Sequence, residues 1–239
     1  MKRYCIGDVI VDIDVECERL ERLGKPYEVD VDGPPNMRVI ITKEMLDDMH
    51  KEYNYLTRDE VAYLASGALF NRRITAFNGL MLHSSAIAMD GWAYLFSAHS
   101  GTGKSTHTGL WKQVFGDRVT YINDDKPIIR KIDGKFYAYG TPWSGKTDLN
   151  QNVKYPLKAV VFLSRGEENT IKKMDVINAV LNFSNQLPRT SSDRDVCLKS
   201  IDFIKQLYKI NIPVYDFKCN ITDEAVEVAY NGLFKGELQ

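Results

Sequence analysis

The chain has 239 residues, with 31 lysines and arginines against 32 aspartates and glutamates, a net charge of −1. That balance lacks the basic excess of a nucleic-acid or anionic-membrane binder, and the length suits one large domain or a compact domain with a smaller module. With no apolar run near the roughly 20 residues of a membrane span, no apolar signal core after Lys2 and Arg3, and no C-x-x-C spacing among Cys5, Cys17, Cys197 and Cys219, a soluble cytoplasmic protein with reduced cysteines is expected.

Residues 4–15 alternate apolar and polar in part and predict a strand or hairpin, and Asp32-Gly33-Pro34-Pro35-Asn36 is a strong turn signal. Arg38 to Thr42 reads as a short strand, and Lys43 to Tyr53 as a helix with Thr42 as N-cap. Thr57 and Glu60 make a capping box for a second helix to about Phe70, with Val61, Leu64, Leu69 and Phe70 on its core face. Leu80–Ala88 and Trp92–Ser97 read as a hairpin turned at Asp90-Gly91, followed by a helix over Thr106–Phe115 and a strand over Val119–Ile122. A second hairpin joins Ile128–Ile132 to Phe136–Tyr139 at Asp133-Gly134, and Leu157–Leu163 is a continuous apolar strand. Helices are expected near Val176–Phe183, Asp193–Tyr208 and Asp223–Phe234, with a strand over Val214–Phe217. The expected organisation is a small α+β module over residues 1–78 and a nucleotide-binding domain over residues 79–239. The hairpins around its central loop argue against an all-parallel sheet.

That central loop, Ala98-His99-Ser100-Gly101-Thr102-Gly103-Lys104-Ser105, lies between an apolar strand and a helix, the setting of a phosphate-binding P-loop. Gly101 and Gly103 permit a concave nest of backbone N–H groups, and the following helix adds its positive end. Ser100 to Thr106 would hold the nucleotide, with Lys104 neutralising β/γ-phosphate charge and the Ser105 hydroxyl ligating Mg²⁺. Ala98 occupies a position where the full pattern has glycine. Gly140-Thr141-Pro142-Trp143-Ser144-Gly145-Lys146-Thr147 matches that pattern letter for letter, but Pro142 removes a donor, Trp143 crowds the cradle, and no helix former follows. It reads as a second loop facing the same site, where Ser144, Lys146 and Thr147 could bind an acceptor, or as a structural turn.

Asn123-Asp124-Asp125 ends the strand after the loop's helix, in the Walker-B position. One carboxylate could organise Mg²⁺ and the other take a proton from an attacking hydroxyl. Alone, the pair would read as an exposed turn.

The run Ser100-Gly101-Thr102-Gly103-Lys104-Ser105-Thr106 followed by Asp124-Asp125 resembles the HPr kinase/phosphorylase and phosphoenolpyruvate carboxykinase superfamily. His83 matches the histidine that precedes the P-loop in HPr kinases, and the resemblance covers roughly residues 80–165. It implies a mixed-sheet α/β fold of α+β character, use of ATP with Mg²⁺, and phosphoryl transfer to a hydroxyl. Thr106 stands where HPr kinases carry glutamate, and their long signature segment is missing, so neither phosphorolysis nor the HPr protein as substrate is expected.

The expected function is an ATP-dependent kinase acting on a seryl peptide, a protein or a small alcohol. Asp124 would be the base, Ser105 and Asp125 the metal ligands, and Lys104 and Arg165 the charge stabilisers. His83 would position the phosphoryl group or simply end a strand. Arg189 could contact a lid, His107 is expected to be structural or on the surface, and Lys126 has no assigned role. Alternatives are a nucleotide sensor without transfer chemistry and an ATP or GTP hydrolase. A homo-oligomer is compatible with the resemblance.

Overall fold

The computed structural model describes residues 1–187 and 194–234; Arg189 lies outside them. Strands β1 (Lys2–Ile6) and β2 (Val9–Asp14) form the expected hairpin, and Gly7 and Asp8 at its turn both have positive φ, 61° and 57°. That pair of left-handed residues suits a tight turn matching the strand twist. Strand β3 (Met37–Ile40) adds to β2 in parallel. Between them lies a helix not anticipated from sequence, α1 (Glu18–Gly24), capped by the Cys17 thiol accepting from Leu20 N–H.

Helix α2 (Lys43–Glu52) starts on Thr42, and α3 (Arg58–Ile74) starts on the Thr57–Glu60 box, with both reciprocal bonds formed. The expected core face of α3 needs correction at Leu64, which is 46% exposed. The buried stripe instead runs through Val61, Ala62, Tyr63, Ser66, Gly67 and Phe70. Gly67 explains the rotation: a Cβ there would sit 2.9 Å from the Trp143 ring, so the helix packs closely against that indole. The core under these elements also contains Met81, Ile128, Tyr139 and Trp143 from later in the chain.

The main sheet runs β4 (Gly79–Met81), β8 (Ile128–Ile132), β9 (Lys135–Tyr139), β10 (Lys154–Arg165), β6 (Trp92–Ser97), β5 (Ser84–Met89), β7 (Val119–Asp125). Strand β12 (Val214–Cys219) also lies beside β10, with β11 (Thr170–Lys173) beyond it. The expected continuous strand Leu80–Ala88 is broken at Leu82-His83. Its first part pairs with β8 and its second with β6 and β7, while Leu82 N–H bonds Pro127 and His83 N–H bonds Gln186. Strand β10 spans the two halves: Lys154–Pro156 lie antiparallel to β9, whereas Leu157 onward runs parallel to β6 and β12. The result is a curled mixed sheet in an α/β protein, the expected class.

Side chains alternate across this sheet. Leu95, Val160 and Phe162 face α5 (Val176–Gln186) and α6 (Arg194–Lys209), whose Phe183, Ile204 and Leu207 fill that side. Tyr94, Phe96 and Val161 face α4 (Lys104–Phe115) and α7 (Asp223–Phe234), where Trp111, Ala225 and Ala229 fill the other. Among the described residues no helix is long and apolar enough to cross a membrane.

His107 belongs to the second of these layers and is 3% exposed, its ring edge-on to Phe96 and Phe217. Burial pushes its pKa from 6.5 down to about 4. Between those values the unfolded chain binds a proton that the folded chain refuses, so stability falls as pH falls through that window. The loss should reach roughly 3 kcal/mol by its acidic end. Urea melts at pH 7 and pH 4.5 measure it, and His107→Phe should flatten the difference.

Candidate functional site

Strand register assembles one end of the sheet. Ser84 lies opposite Ser97 on one side and Asp125 on the other, so the loop leaving β6, the acids ending β7 and His83 before β5 open in the same direction. The Ser97 hydroxyl donates to His83 O, and Ser85 and Thr108 hydroxyls bond at 2.8 Å, tying β5 to α4.

In the 98–105 loop Gly101 and Gly103 have φ of 77° and 119°, and a Cβ built on either would meet nothing within 4 Å. Glycine is there for its left-handed backbone, and the space before it is open. Ala98 is buried in the same core layer as Phe96 and Trp111, which accounts for a methyl group where the P-loop pattern has glycine. Lys104 is 9% exposed, and its ammonium donates to the carbonyls of Ala98 at 3.0 Å and His99 at 3.5 Å. Burial lowers its pKa, while the charges of Asp125 and Asp124 pull the other way. The first-turn N–H groups of α4 have no intrahelical acceptor, and Ser100, Ser105 and Thr106 are exposed.

Asp125 accepts from His83 Nε2 at 3.2 Å and pairs with Lys126 Nζ at 3.2 Å. Burial alone would raise its pKa; the His83 hydrogen bond and the Lys126 charge outweigh it and hold it at about 2. Asp124, 4% exposed, accepts the Thr147 hydroxyl at 2.6 Å. Lys126, given no role from sequence, therefore partners one of the two acids.

The Gly140–Thr147 segment packs along β7. A Cβ on Gly140 would lie 1.9 Å from Gln151 O, and one on Gly145 would lie 2.6 Å from Asp124 O. These glycines permit close backbone approach rather than a nest. Gly140→Ala should therefore cost about 1–3 kcal/mol, the range for overpacking, read as a lowered urea midpoint with m unchanged. Ser144 is 2% exposed, bridges Asp125 through its backbone, and accepts from Asn150 Nδ2 at its hydroxyl. Lys146 and Thr147 are exposed.

The N-terminal elements hold this segment. Tyr63 OH donates to Pro142 O at 3.0 Å and accepts from Ser144 N–H at 2.7 Å. Arg19 donates to Gly145 O and Asp148, both at 2.7 Å, and lies over the Tyr63 ring. Trp143 packs on Phe70 and donates to Ser66 Oγ. The wholly buried Asn123 accepts from Asp125 and Lys126 N–H and donates to Thr141 and Trp143 carbonyls.

Arg165 donates to the carbonyls of Gly101 and Thr102, clasping the 98–105 loop from outside. Gln186, 6% exposed, accepts His83 N–H at its backbone carbonyl, and its side-chain amide bonds the His99 ring. Sequence reasoning missed Arg19, Tyr63 and Gln186 and gave Asn123 no task. Only Asn123 left a local sign, as the amide next to two acids at a strand end. Among the described residues no three His, Cys, Asp or Glu side chains gather as a self-sufficient metal centre.

The family model for the SynChlorMet cassette protein ScmC matches residues 61–227, and the chain belongs to that family. No curated protein matches it. A solved structure, the Hpr(Ser) kinase/phosphatase from Coxiella burnetii, aligns at 11% identity over 66% of this chain and 98% of that one, with a TM-score of 0.37.

Proposed function

We propose that this member of the ScmC family binds ATP with Mg²⁺ in the 98–105 loop and transfers the γ-phosphoryl group to a hydroxyl. The observation that supports the reading is the convergence on one sheet end of an open two-glycine loop, the Lys104 ammonium and two carboxylates.

In this reading Lys104 leaves the Ala98 carbonyl for the β/γ-phosphates, and the first-turn N–H groups of α4 bond phosphate oxygens. A phosphate-bound Mg²⁺ needs only one or two carboxylates besides phosphate and water. Ser105 and Asp125 would supply its protein ligands, with His83 orienting the ionised Asp125. Mg²⁺ would neutralise charge on the transferring group.

Asp124 takes the acceptor's proton. Its Oδ2 is engaged by Thr147, which leaves Oδ1 for that proton. The acceptor oxygen bonds to phosphorus as the bond to the β-phosphate oxygen breaks, and ADP leaves. Arg165 serves best as a positioning residue, because it grips loop carbonyls. The exposed Lys146 and Thr147 face the acceptor side, on a segment held by Arg19 and Tyr63.

γ-Labelled ATP, incubated with the protein and separate pools of small alcohols and seryl peptides, tests the reading. Label in an acceptor supports a kinase. Label only in inorganic phosphate makes the protein a hydrolase, and bound but unconverted ATP makes it a sensor.

A further inference from the structure

Ser144 bridges Asp125 and Asn150 bridges Asn123, both antiparallel, so the chain after β9 runs back along β7. One residue between those bridges would suffice to face Asp124, yet the chain has five, Gly145 to Leu149. They bulge outward, and extra residues in a strand pair serve to re-aim a side chain. Both feet of the bulge stand on Asp124 itself. Gly145 N–H donates to the Asp124 carbonyl at 2.8 Å, and Asp124 N–H donates to Leu149 O at 2.9 Å. Arg19 and Arg22 clamp Asp148 from outside. The side chain re-aimed at the crest is Thr147, whose hydroxyl donates to Asp124 Oδ2 at 2.6 Å.

Resting on the kinase reading above, we propose that Thr147 is itself a phosphoryl acceptor, modified by the active site of its own chain. Without an outside acceptor, the hydroxyl already bonded to the proposed base is that of Thr147. A hydroxyl and a base within hydrogen-bond reach are the signature of an activated nucleophile. Holding both in one chain supplies the proximity that a second molecule would have to bring. Thr147 Oγ bonds to the γ-phosphorus, its proton passes to Asp124 Oδ2, the bond to the β-phosphate oxygen breaks, and ADP leaves. Asp124 then releases the proton to water.

The surroundings single out this hydroxyl. Ser144 is 2% exposed with its hydroxyl engaged by Asn150, and the buried Thr141 hydroxyl donates to Lys126 O. Thr147 is exposed, so a phosphate can reach it. Lys126 pairs with Asp125, and Arg19 and Arg22 pair with Asp148. The adjacent Lys146 is exposed and can meet the incoming negative charge. On transfer Thr147 loses the proton it donates, and its phosphate faces Asp124 and Asp125 with like charge. The bulge is thereby freed from the acid it covered.

Incubating the full chain with γ-labelled Mg-ATP and no added acceptor tests this, with Mg-ADP binding followed separately by calorimetry. Label should rise to one phosphoryl group per chain, map to the peptide bearing Thr147, and appear at a rate independent of protein concentration. Thr147→Ser should keep the labelling, and Thr147→Val should lower it at least tenfold. Mapping on the wild type keeps the test decisive should the valine variant fold poorly. Nucleotide that binds while the chain stays unlabelled makes Thr147 only the lock of its bulge and overturns the inference. Label that persists in Thr147→Val, or that appears faster as protein concentration rises, overturns it as well. A wild type that binds no Mg-ADP instead overturns the phosphate-loop reading on which this one rests.

Discussion

Lys104→Met is expected to weaken Mg-ATP binding and phosphoryl transfer by about 10²–10³-fold, the scale of losing one preorganised charge stabiliser. The substitution keeps the apolar stem and deletes only the ammonium. Because burial lowers the Lys104 pKa, the folded chain holds this charge at a cost at neutral pH. The ligand-free variant should therefore melt no lower than the wild type. That combination, lost binding with retained stability, separates a phosphate-binding lysine from one that merely laces the Ala98 and His99 carbonyls. A structural lysine would give the reverse, a lower melting temperature with nucleotide binding intact.

Asp124→Asn is expected to lower the transfer rate about 10²–10⁴-fold, the contribution of a positioned general base, while ATP binding changes little. The asparagine oxygen can still accept the Thr147 hydroxyl that Asp124 accepts at 2.6 Å, so the loop keeps its place. Single-turnover rates and equilibrium binding measured on the same preparation separate the two effects. A fully active Asn variant would remove Asp124 from the role of base. A variant that loses ATP binding as well would shift Asp124 towards the metal.

Much of the fold was legible where local chemistry decides. The Thr57–Glu60 box starts α3, and the turns at Asp90-Gly91 and Asp133-Gly134 use the positive φ such pairs accept. What escaped depends on distant partners. The short α1 is capped by a thiol, an unusual cap to read from sequence. β11 alternates weakly, with three of its four residues exposed. The break at His83 follows from two different strand partners, and the exposure of Leu64 from the approach of Trp143 to Gly67.

The candidate site divides in the same way. Lys104, Asp124, Asp125 and His83 stand beside recognisable motifs, and the sheet register brings them to one end. Arg19 reaches Gly145 across 126 positions, and Tyr63 reaches Ser144 across 81. No pattern within one segment encodes such contacts. The Gly140–Thr147 string shows the opposite hazard, since its glycines answer to the Gln151 and Asp124 carbonyls.

A crystal structure with Mg²⁺ and a non-hydrolysable ATP analogue would locate the phosphates and the metal outright. Phosphates are expected in the 98–105 loop, with Lys104 Nζ moved from the Ala98 carbonyl to the β/γ-phosphates and the metal on Ser105 and Asp125. The analogue seated in the Gly140–Thr147 segment, or phosphates remote from Lys104, would contradict that placement.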